Sequence, residues 1–317
     1  MKKTLLKLTA LLATLGYTLP IWADEQAQAL LMEMSQATQQ GNYDLSFIAI
    51  NPLDTISLRY RHIKEDNKTY AQLLSLDNSP QEIIQRDDLV SYFGNSYQPF
   101  SLYADNIVDN LPNVLRTDFV RLTENYDFTN IGRNRIANRV VQTIRIQPKD
   151  NFRYQYVLFI DEQNHLLLRS DLLDREGNLL EQFRVLNMYM LDDPAPLLNY
   201  INSVYFPPSI NQKDEQVTTL AMNWSPSWVP KGFTRIKTAR QQVDNVLIES
   251  QSYSDQLFSF SLYVSDSALP ESQEMVWKQG AYTIYSESIN NKEVTLIGQI
   301  PLTTAKRIVQ DVQFHSK

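Results

Sequence analysis

The chain of 317 residues contains no cysteine, and this absence removes several functional classes at once. Without a thiol there is no disulfide framework, no cysteine nucleophile and no cysteine-ligated zinc site. Only three histidines are present, His62, His165 and His315, and their spacing is not that of a metal-binding helix. The sequence also lacks a phosphate-cradling glycine loop and the nucleophile elbow of the α/β-hydrolases.

Acidic pairs are present, but they do not indicate catalysis. They occur at Asp87-Asp88, Asp161-Glu162 and Asp192-Asp193. Glycoside chemistry needs two carboxyl groups on opposite sides of a substrate, and adjacency in sequence does not place them so. These pairs are typical of turns and element boundaries. We therefore expect no catalytic residue, no metal site and no cofactor, and we interpret the chain as a non-enzymatic protein.

An excess of positive charge is also missing. The formal net charge is −7, and the first 23 residues carry lysines but no acid, so the remainder is still more acidic. A protein of this balance is a poor general binder of nucleic acid. Hydrophobic residues make up 43% of the chain, which is enough to build real cores and argues against disorder.

The start of the chain has the pattern of a cleaved export signal. Lys2, Lys3 and Lys7 precede an apolar stretch over residues 8–19, and Ala23 closes a plausible cleavage region. The apolar stretch is too short for a good membrane span. We expect residues 1–23 to be removed, the mature protein to begin at Asp24, and its compartment to be the periplasm.

Residues 153–188 carry the strongest structural signal. Three apolar runs of strand length are separated by two short polar turns, of which the second contains Gly177. This pattern predicts consecutive antiparallel hairpins, because no run reaches helical length before a turn interrupts it. Many further short strands, with a helix over Asp24–Gln40 and a short helix within 105–125, predict a curved or partly closed antiparallel sheet.

The chain is predicted to form two domains. Residues 24–191 form the large β domain, and 192–219 form a proline-containing linker whose polar run, 211–216, is its most flexible point. Residues 220–317 form a small α+β domain, with strands followed by a helix over Thr303–Val312.

Aromatic residues are concentrated in two places. Those of the large domain either enclose an apolar cavity under covering loops or simply fill a core. The candidates for lipid contact are Phe93, Tyr97, Phe100, Tyr103, Phe119, Tyr126 and Phe128. Those of the small domain either bind a partner or pack between the domains. The candidates for partner contact are Trp224, Trp228, Phe233, Phe258 and Phe260.

Several stretches resemble the MucB/RseB family of sigma-E regulatory proteins. The longest covers residues 168–185 (LRSDLLDREG and LEQFRV), and shorter ones are YDLSFIAI at 43–50, SLRYRH at 57–62, IVDNLP at 107–112 and TAKRI at 304–308. The matching stretches are spread through both halves of the chain.

The resemblance implies a fold and a function. The fold is mostly β with α: a LolA/LolB-like curved, open antiparallel barrel with covering helices, plus a smaller C-terminal α+β domain. The function is negative regulation of the sigma-E envelope stress response. The family binds the periplasmic part of a membrane anti-sigma factor of the RseA/MucA type and protects it from site-1 proteolysis. Release is promoted by lipid or lipopolysaccharide-like ligands, and a homodimer or higher oligomer is an open possibility. A periplasmic lipid or lipoprotein carrier is the alternative, although a simple carrier does not need the added domain from Leu220 onward.

Overall fold

A long helix opens the part of the chain that can be described. The computed structural model describes residues 19–77, 80–211, 220–266 and 274–315, with side chains from residue 25 onward. Helix α1 spans Leu19–Gln40 and so begins earlier than the helix predicted from Asp24. Its apolar stripe, Ala27, Leu31 and Met34, is buried in the main core. Most of the predicted targeting segment lies outside the described residues, and no described helix has both the length and the hydropathy of a membrane span.

One antiparallel sheet of eleven strands forms the large domain. Its order is β6-β5-β4-β3-β2-β1-β11-β10-β9-β8-β7, so two sequential meanders are joined where β1 pairs with β11. The hairpins predicted for residues 153–188 are confirmed as β9, β10 and β11. The strands are β1 (Tyr43–Ile50), β2 (Thr55–Glu65), β3 (Lys68–Ser75), β4 (Gln81–Arg86), β5 (Leu89–Gly94), β6 (Phe100–Tyr103), β7 (Tyr126–Ile136), β8 (Arg139–Pro148), β9 (Gln155–Asp161), β10 (Leu167–Leu173) and β11 (Leu179–Met190).

The two faces of this sheet are covered differently. Helix α1 packs on β7, on β2 and on the loop between β6 and β7, which contains a 3₁₀ helix at Asn113–Arg116 and helix α2 at Phe119–Leu122. The main core lies under these elements and continues across the junction into the small domain. Helix α3, Ala195–Ser203, covers the opposite face at β3 and β4 with a second, smaller core. The result is the open antiparallel sheet with covering helices that the family resemblance implies.

The small domain is a six-stranded antiparallel sheet with one helix. Helix α4, Leu302–Gln310, packs on β17 and β18 and covers one face of the sheet, and no other helix belongs to this domain within the residues that the structure describes. The sheet order is β13-β14-β15-β18-β17-β16. The strands are β13 (Thr234–Val243), β14 (Val246–Ser254), β15 (Ser259–Asp266), β16 (Glu274–Gln279), β17 (Tyr282–Ile289) and β18 (Lys292–Gly298).

Three details differ from the sequence prediction. The loop predicted at Trp224 begins with a short strand, β12 (Trp224–Pro226), which pairs with β19 (Val312–Phe314). Helix α4 ends at Gln310, earlier than the predicted Val312, and β19 follows it. Strand β16 was not predicted, because Met275, Val276 and Trp277 are three consecutive apolar residues and show no alternation with polar ones. Of the polar run predicted to be flexible, 211–216, only Asn211 lies within the described residues.

Candidate binding site

The two sheets meet along a junction that is tightly closed on one side. Phe152 of the large domain packs edge-to-face on Trp228 at 4.9 Å between ring centroids. The guanidinium of Arg307 lies 3.7 Å from the centroid of the same tryptophan. Tyr156 stacks on Phe258 of the small domain at 5.7 Å. Aromatic pairs of this kind add stability beyond their buried area, so this side holds the domains together.

A buried ion pair lies at the centre of the closed side. The Arg153 side chain is fully buried, and its Nε is 3.3 Å from a carboxyl oxygen of Asp255 in the small domain. The Tyr126 hydroxyl donates to that carboxylate at 2.5 Å, and Arg153 also donates to the carbonyl of Lys231. Burial raises the pKa of Asp255, although Tyr126 and the nearby backbone amides stabilise its charged form. Arg153 supplies the neighbouring positive charge for this carboxylate, and its guanidinium also lies 3.4 Å from Asp150.

The other side of the junction opens into a cleft of about 410 Å³. One wall is the inner face of the large sheet, and a second is the loop before the 3₁₀ helix. The third wall is the face of the small sheet that lies opposite helix α4. The volume lies in the range of small-molecule and acyl-chain sites. The apolar and aromatic lining residues are Ala49, Ile50, Val108, Leu111, Pro112, Tyr156, Leu172, Phe183, Trp277, Tyr282, Ile284 and Ile297.

A glycine turn brings the small sheet against the large one at the end of this cleft. Gly280, in the turn between β16 and β17, has φ +55°. A Cβ there would lie 3.2 Å from both the Leu180 carbonyl oxygen and Pro52. Glycine is therefore favoured at this position, because its φ lies in the left-handed region and because a side chain would crowd the contact between the two domains.

The polar groups of the cleft are almost all uncharged. Its lining includes six carboxamide side chains: Asn51, Asn110, Asn113, Gln182, Gln279 and Gln299. Asn113 donates to Gln299 at 3.3 Å and so joins the loop to the small domain. Glu181 is the single acid of the lining, which includes no lysine or arginine among the described residues. Burial raises the pKa of Glu181, although the Ala281 amide donates to its carboxylate. An anionic headgroup has no cation to bind inside this cleft.

The seven candidates for lipid contact are divided among three packing environments. Phe119, Tyr126 and Phe128 are buried in the main core, where Phe119 and Phe128 pack edge-to-face at 6.0 Å. Phe93 packs with the smaller core under helix α3. The remaining three lie near strands β5 and β6: Phe100 stacks on Tyr92 and meets Tyr97, and Tyr103 is bound through its backbone by Asn211. None of the seven lines the cleft, and their role in lipid binding stays a prediction.

The five candidates for partner contact lie at the closed side or inside the small domain. Phe258 and Trp228 make the aromatic contacts across the junction. Phe233 and Phe260 pack together at 5.2 Å and are buried. Trp224 is also buried and donates to Glu249 at 2.8 Å. The interdomain packing that the sequence left open is thus present, and a direct contact between these residues and a partner stays a prediction.

Sequence reasoning missed the residues that line the cleft. Leu172 and Phe183 were interpreted as ordinary sheet residues, and Trp277 and Ile297 were not singled out. Their positions come together only when the small sheet docks on the large one. A signal was available in the sequence. Had β16 been predicted as a strand, the apolar residues of β16 to β18 on the face opposite helix α4 would have been recognised as one exposed apolar surface.

The histidines have structural environments. His62 is buried, stacks on Tyr43 at 5.1 Å, and has its Nδ1 2.8 Å from the Gly41 carbonyl oxygen. Burial, together with the nearby charges of Arg116 and Lys64, lowers the pKa of His62 to about 4, although the contact with the Gly41 carbonyl acts in the opposite direction. Within the described residues, no group of three or more histidine or acidic side chains is arranged to hold a metal ion.

Comparison with known proteins decides the family. The sequence model of the MucB/RseB N-terminal domain matches residues 26–221, and that of the MucB/RseB C-terminal domain matches residues 218–313. The chain therefore belongs to the MucB/RseB family. It is 51% identical to the sigma-E factor regulatory protein RseB of Haemophilus influenzae, over 99% of this chain and 100% of that one. It is 40% identical to RseB of Escherichia coli K12, over 90% of each chain.

A solved structure of another member has the same fold. MucB in complex with MucA(peri) superposes with a TM-score of 0.73 at 22% identity, covering 92% of this chain and 100% of that one. The MucB/RseB relatives matched over both domains are named as regulatory proteins.

Proposed function

We propose that this chain is a periplasmic negative regulator of the sigma-E envelope stress response. In this role it binds the periplasmic part of a membrane anti-sigma factor and protects that segment from site-1 proteolysis. The observation that carries the proposal is the match of the chain to MucB/RseB proteins over both domains, together with a fold shared with MucB in its complex with MucA(peri).

Partner binding requires a surface larger than the cleft. A standard stable complex buries on the order of 800 Å² on each partner. The described surface offers exposed apolar side chains on both domains, including Leu186 and Tyr189 of β11 and Trp277 of β16. We propose that Trp224, Trp228, Phe233, Phe258 and Phe260 support this surface indirectly, by holding the small domain in place.

The cleft is proposed as the site where an acylated ligand binds. Its apolar walls suit a hydrocarbon chain, and each methylene removed from water contributes about 0.8 kcal/mol. Since the described lining of the cleft holds no cation, we propose that the acyl chain and not the headgroup supplies the affinity there. The lipid carrier remains the alternative function, because an apolar cleft serves either role. The small sheet provides one wall of the cleft, however, so the site depends on the domain that a simple carrier does not need.

A protection assay tests the regulatory function. The periplasmic segment of the anti-sigma factor is incubated with the site-1 protease, with and without the mature chain from Asp24 onward. We expect the chain to slow cleavage in proportion to the fraction of segment bound, and an acylated ligand to restore it. An unrelated substrate of the same protease serves as the control and should be cleaved at an unchanged rate. If the mature chain binds the acylated ligand but leaves cleavage of the segment unaffected, the carrier function is the correct one.

A further inference from the structure

A second concave site lies in the large domain, apart from the interdomain cleft. It is a pocket of about 70 Å³, walled by the last residues of helix α1, by strands β2 and β3 and by the loop between β6 and β7. Every lining residue has a polar side chain, and none of them lines the cleft. The lining residues are Thr38, Gln39, Gln40, Tyr60, His62, Lys64, Thr69, Asn106 and Arg116.

The pocket carries positive charge without a compensating acid. Lys64 and Arg116 both line it, and no carboxylate does so among the residues that the structure describes. Burial, Arg116 and Lys64 all lower the pKa of His62, and no acid is among the charges that act on this ring. Two like charges beside one buried ring disfavour each other unless a counter-ion joins them.

Both cations keep hydrogen-bond donors for a ligand. Lys64 Nζ donates to the Thr69 hydroxyl at 3.2 Å, which uses one of its three N–H groups. Arg116 Nη1 donates to the Ile107 carbonyl at 2.9 Å, and the guanidinium also bonds the Tyr60 hydroxyl, which leaves part of its five N–H groups. An ion with several acceptor oxygens can bind the remaining donors of both side chains at once.

A buried hydroxyl in the same pocket has no partner. Thr38 is 5% exposed, and its Oγ1 makes no hydrogen bond within the described part of the chain. A hydroxyl buried in this way costs free energy until it is hydrogen-bonded, and it can donate to an acceptor in the pocket. This observation is independent of the two cations, and it also points to a ligand with acceptor atoms.

The end of helix α1 does not cancel the positive charge. A helix C-terminus carries roughly half a unit of negative charge, against the two full positive charges of the pocket. Two of its last carbonyls are also in use, since that of Ala37 accepts from the Gly41 amide and that of Thr38 accepts from the Tyr43 hydroxyl. The pocket therefore has an excess of positive charge and of donors.

We propose that this pocket binds a free oxyanion of the size and charge of sulfate or phosphate. The anion bridges Lys64 of β2 and Arg116 of the 3₁₀ helix and accepts from the Thr38 hydroxyl, so it joins helix α1, the sheet and the covering loop. The small volume and polar walls do not suit an acyl chain, because sites for larger ligands are several times wider and mostly apolar. The proposal does not depend on the regulatory function.

Sulfate titration of the mature chain tests the site. Chemical shift changes in nuclear magnetic resonance spectra give the affinity, and sodium chloride at matched ionic strength is the reference for general screening. Lys64→Gln should weaken sulfate binding about tenfold, which corresponds to one charge-assisted hydrogen bond. Lys68→Gln is the matched control, because it removes the same charge from an exposed residue outside the pocket and should leave the affinity unchanged.

A pair of threonine substitutions tests the buried hydroxyl. Thr38→Val removes Oγ1 and keeps the shape of the side chain, so it should weaken sulfate binding about fivefold while the sulfate-free protein stays folded. Thr143→Val is the control, because Thr143 Oγ1 is also buried without a partner but lines neither this pocket nor the cleft. The Thr143 variant should bind sulfate as the wild type does.

His62 gives a readout that general screening does not reproduce. The charged or titratable groups around its ring are Lys64, Arg116, Tyr43 and Tyr60. A bound anion offsets the two cations and so favours the protonated imidazole. Saturating sulfate should therefore raise the pKa of His62 from about 4, by more than matched sodium chloride does and by less in Lys64→Gln.

The contrary outcomes are distinct. The proposal is overturned if sulfate changes the spectra no more than sodium chloride does, if Lys64→Gln and Lys68→Gln weaken binding equally, or if Thr38→Val binds as tightly as the wild type. Thermal unfolding confirms that each variant is folded. A phosphorylated lipid is the other source of the same chemistry, and dihexanoyl phosphatidic acid distinguishes it. If this lipid displaces sulfate at a lower concentration than inorganic phosphate does, the pocket binds a headgroup and the proposal of a free anion fails.

Discussion

The two sides of the interdomain junction differ in chemistry: the closed side is made mostly by loops and turns, whereas the sheets themselves provide two walls of the open side. On the closed side, Arg153 and Asp255 are buried as an ion pair and flanked by aromatic contacts. On the open side, Phe183 and Trp277 line a cleft that also carries carboxamide side chains. There the loop between β6 and β7 reaches the small domain through the hydrogen bond from Asn113 to Gln299, which is long at 3.3 Å. Stability is therefore concentrated on one side, and the other side is left with apolar surface that a ligand can cover.

Breaking the closed side should have the largest effect. Arg153→Met leaves the Asp255 carboxylate buried without its cation, and we expect a loss of about 3–5 kcal/mol in the free energy of unfolding. The double variant Arg153→Met/Asp255→Asn removes the charge as well, so it should lose much less. Urea unfolding of both variants measures the difference. Equal losses for the two would mean that the ion pair does not stabilise the junction through its charges.

Acid should affect the stability of the large-domain core and that of the junction in opposite directions. His62 has its pKa lowered to about 4 by burial, so the unfolded chain, with an ordinary histidine pKa of about 6.5, takes up the proton first. The stability contributed by neutral His62 is complete above about pH 6.5 and is lost as the pH falls toward 4. At pH 5 the loss is about 2 kcal/mol relative to pH 7. The raised pKa of Asp255 has the opposite sign, since acid favours the folded state there.

A histidine substitution checks this assignment. In His62→Gln, the difference in unfolding free energy between pH 7 and pH 5 should shrink by about 2 kcal/mol. His315→Gln is the matched control, because the His315 side chain is exposed and contacts the Ser225 hydroxyl, while its backbone amide, which the substitution keeps, donates to the Asn223 carbonyl. An unchanged pH dependence in His62→Gln would show that other groups cause the acid sensitivity.

The local parts of the fold were predictable from the sequence, and the junction was not. Strands β9 to β11 follow from apolar runs and turn residues that are close together in the chain. Arg153 looked like any charge at the start of a strand, because its partner Asp255 belongs to the other domain. The aromatics at residues 92–128 looked like one cluster, but Tyr92 and Phe93 point to opposite faces of β5 and join different cores. Sequence proximity does not show which face a side chain takes when a sheet is covered on both sides.

Ligand binding on the open side should be weakened by a charged substitution that hardly changes the free energy of unfolding. Ile297 lines the cleft and is 37% exposed, and Ile236 of β13 is exposed elsewhere on the small domain. Ile297→Glu should weaken binding of an acylated probe at least tenfold, or by about 1.4 kcal/mol, because a carboxylate would have to be desolvated against the acyl chain. Ile236→Glu should leave that affinity unchanged, and both variants should unfold within about 0.5 kcal/mol of the wild type, as surface substitutions usually do. Isothermal titration calorimetry of the mature proteins gives the affinities.

Stability is assigned to the closed side of the junction and ligand binding to the open side. The coupling between ligand binding and partner binding tests this assignment most directly. The affinity of the mature chain for the anti-sigma segment is measured with and without saturating acylated ligand, and the reverse titration is done with saturating segment. We predict that each weakens the other by the same factor, as linkage requires, and that the coupling disappears in Ile297→Glu but persists in Ile236→Glu. Affinities for the segment that do not change with ligand in the wild type, or a coupling that survives in Ile297→Glu, would contradict the account.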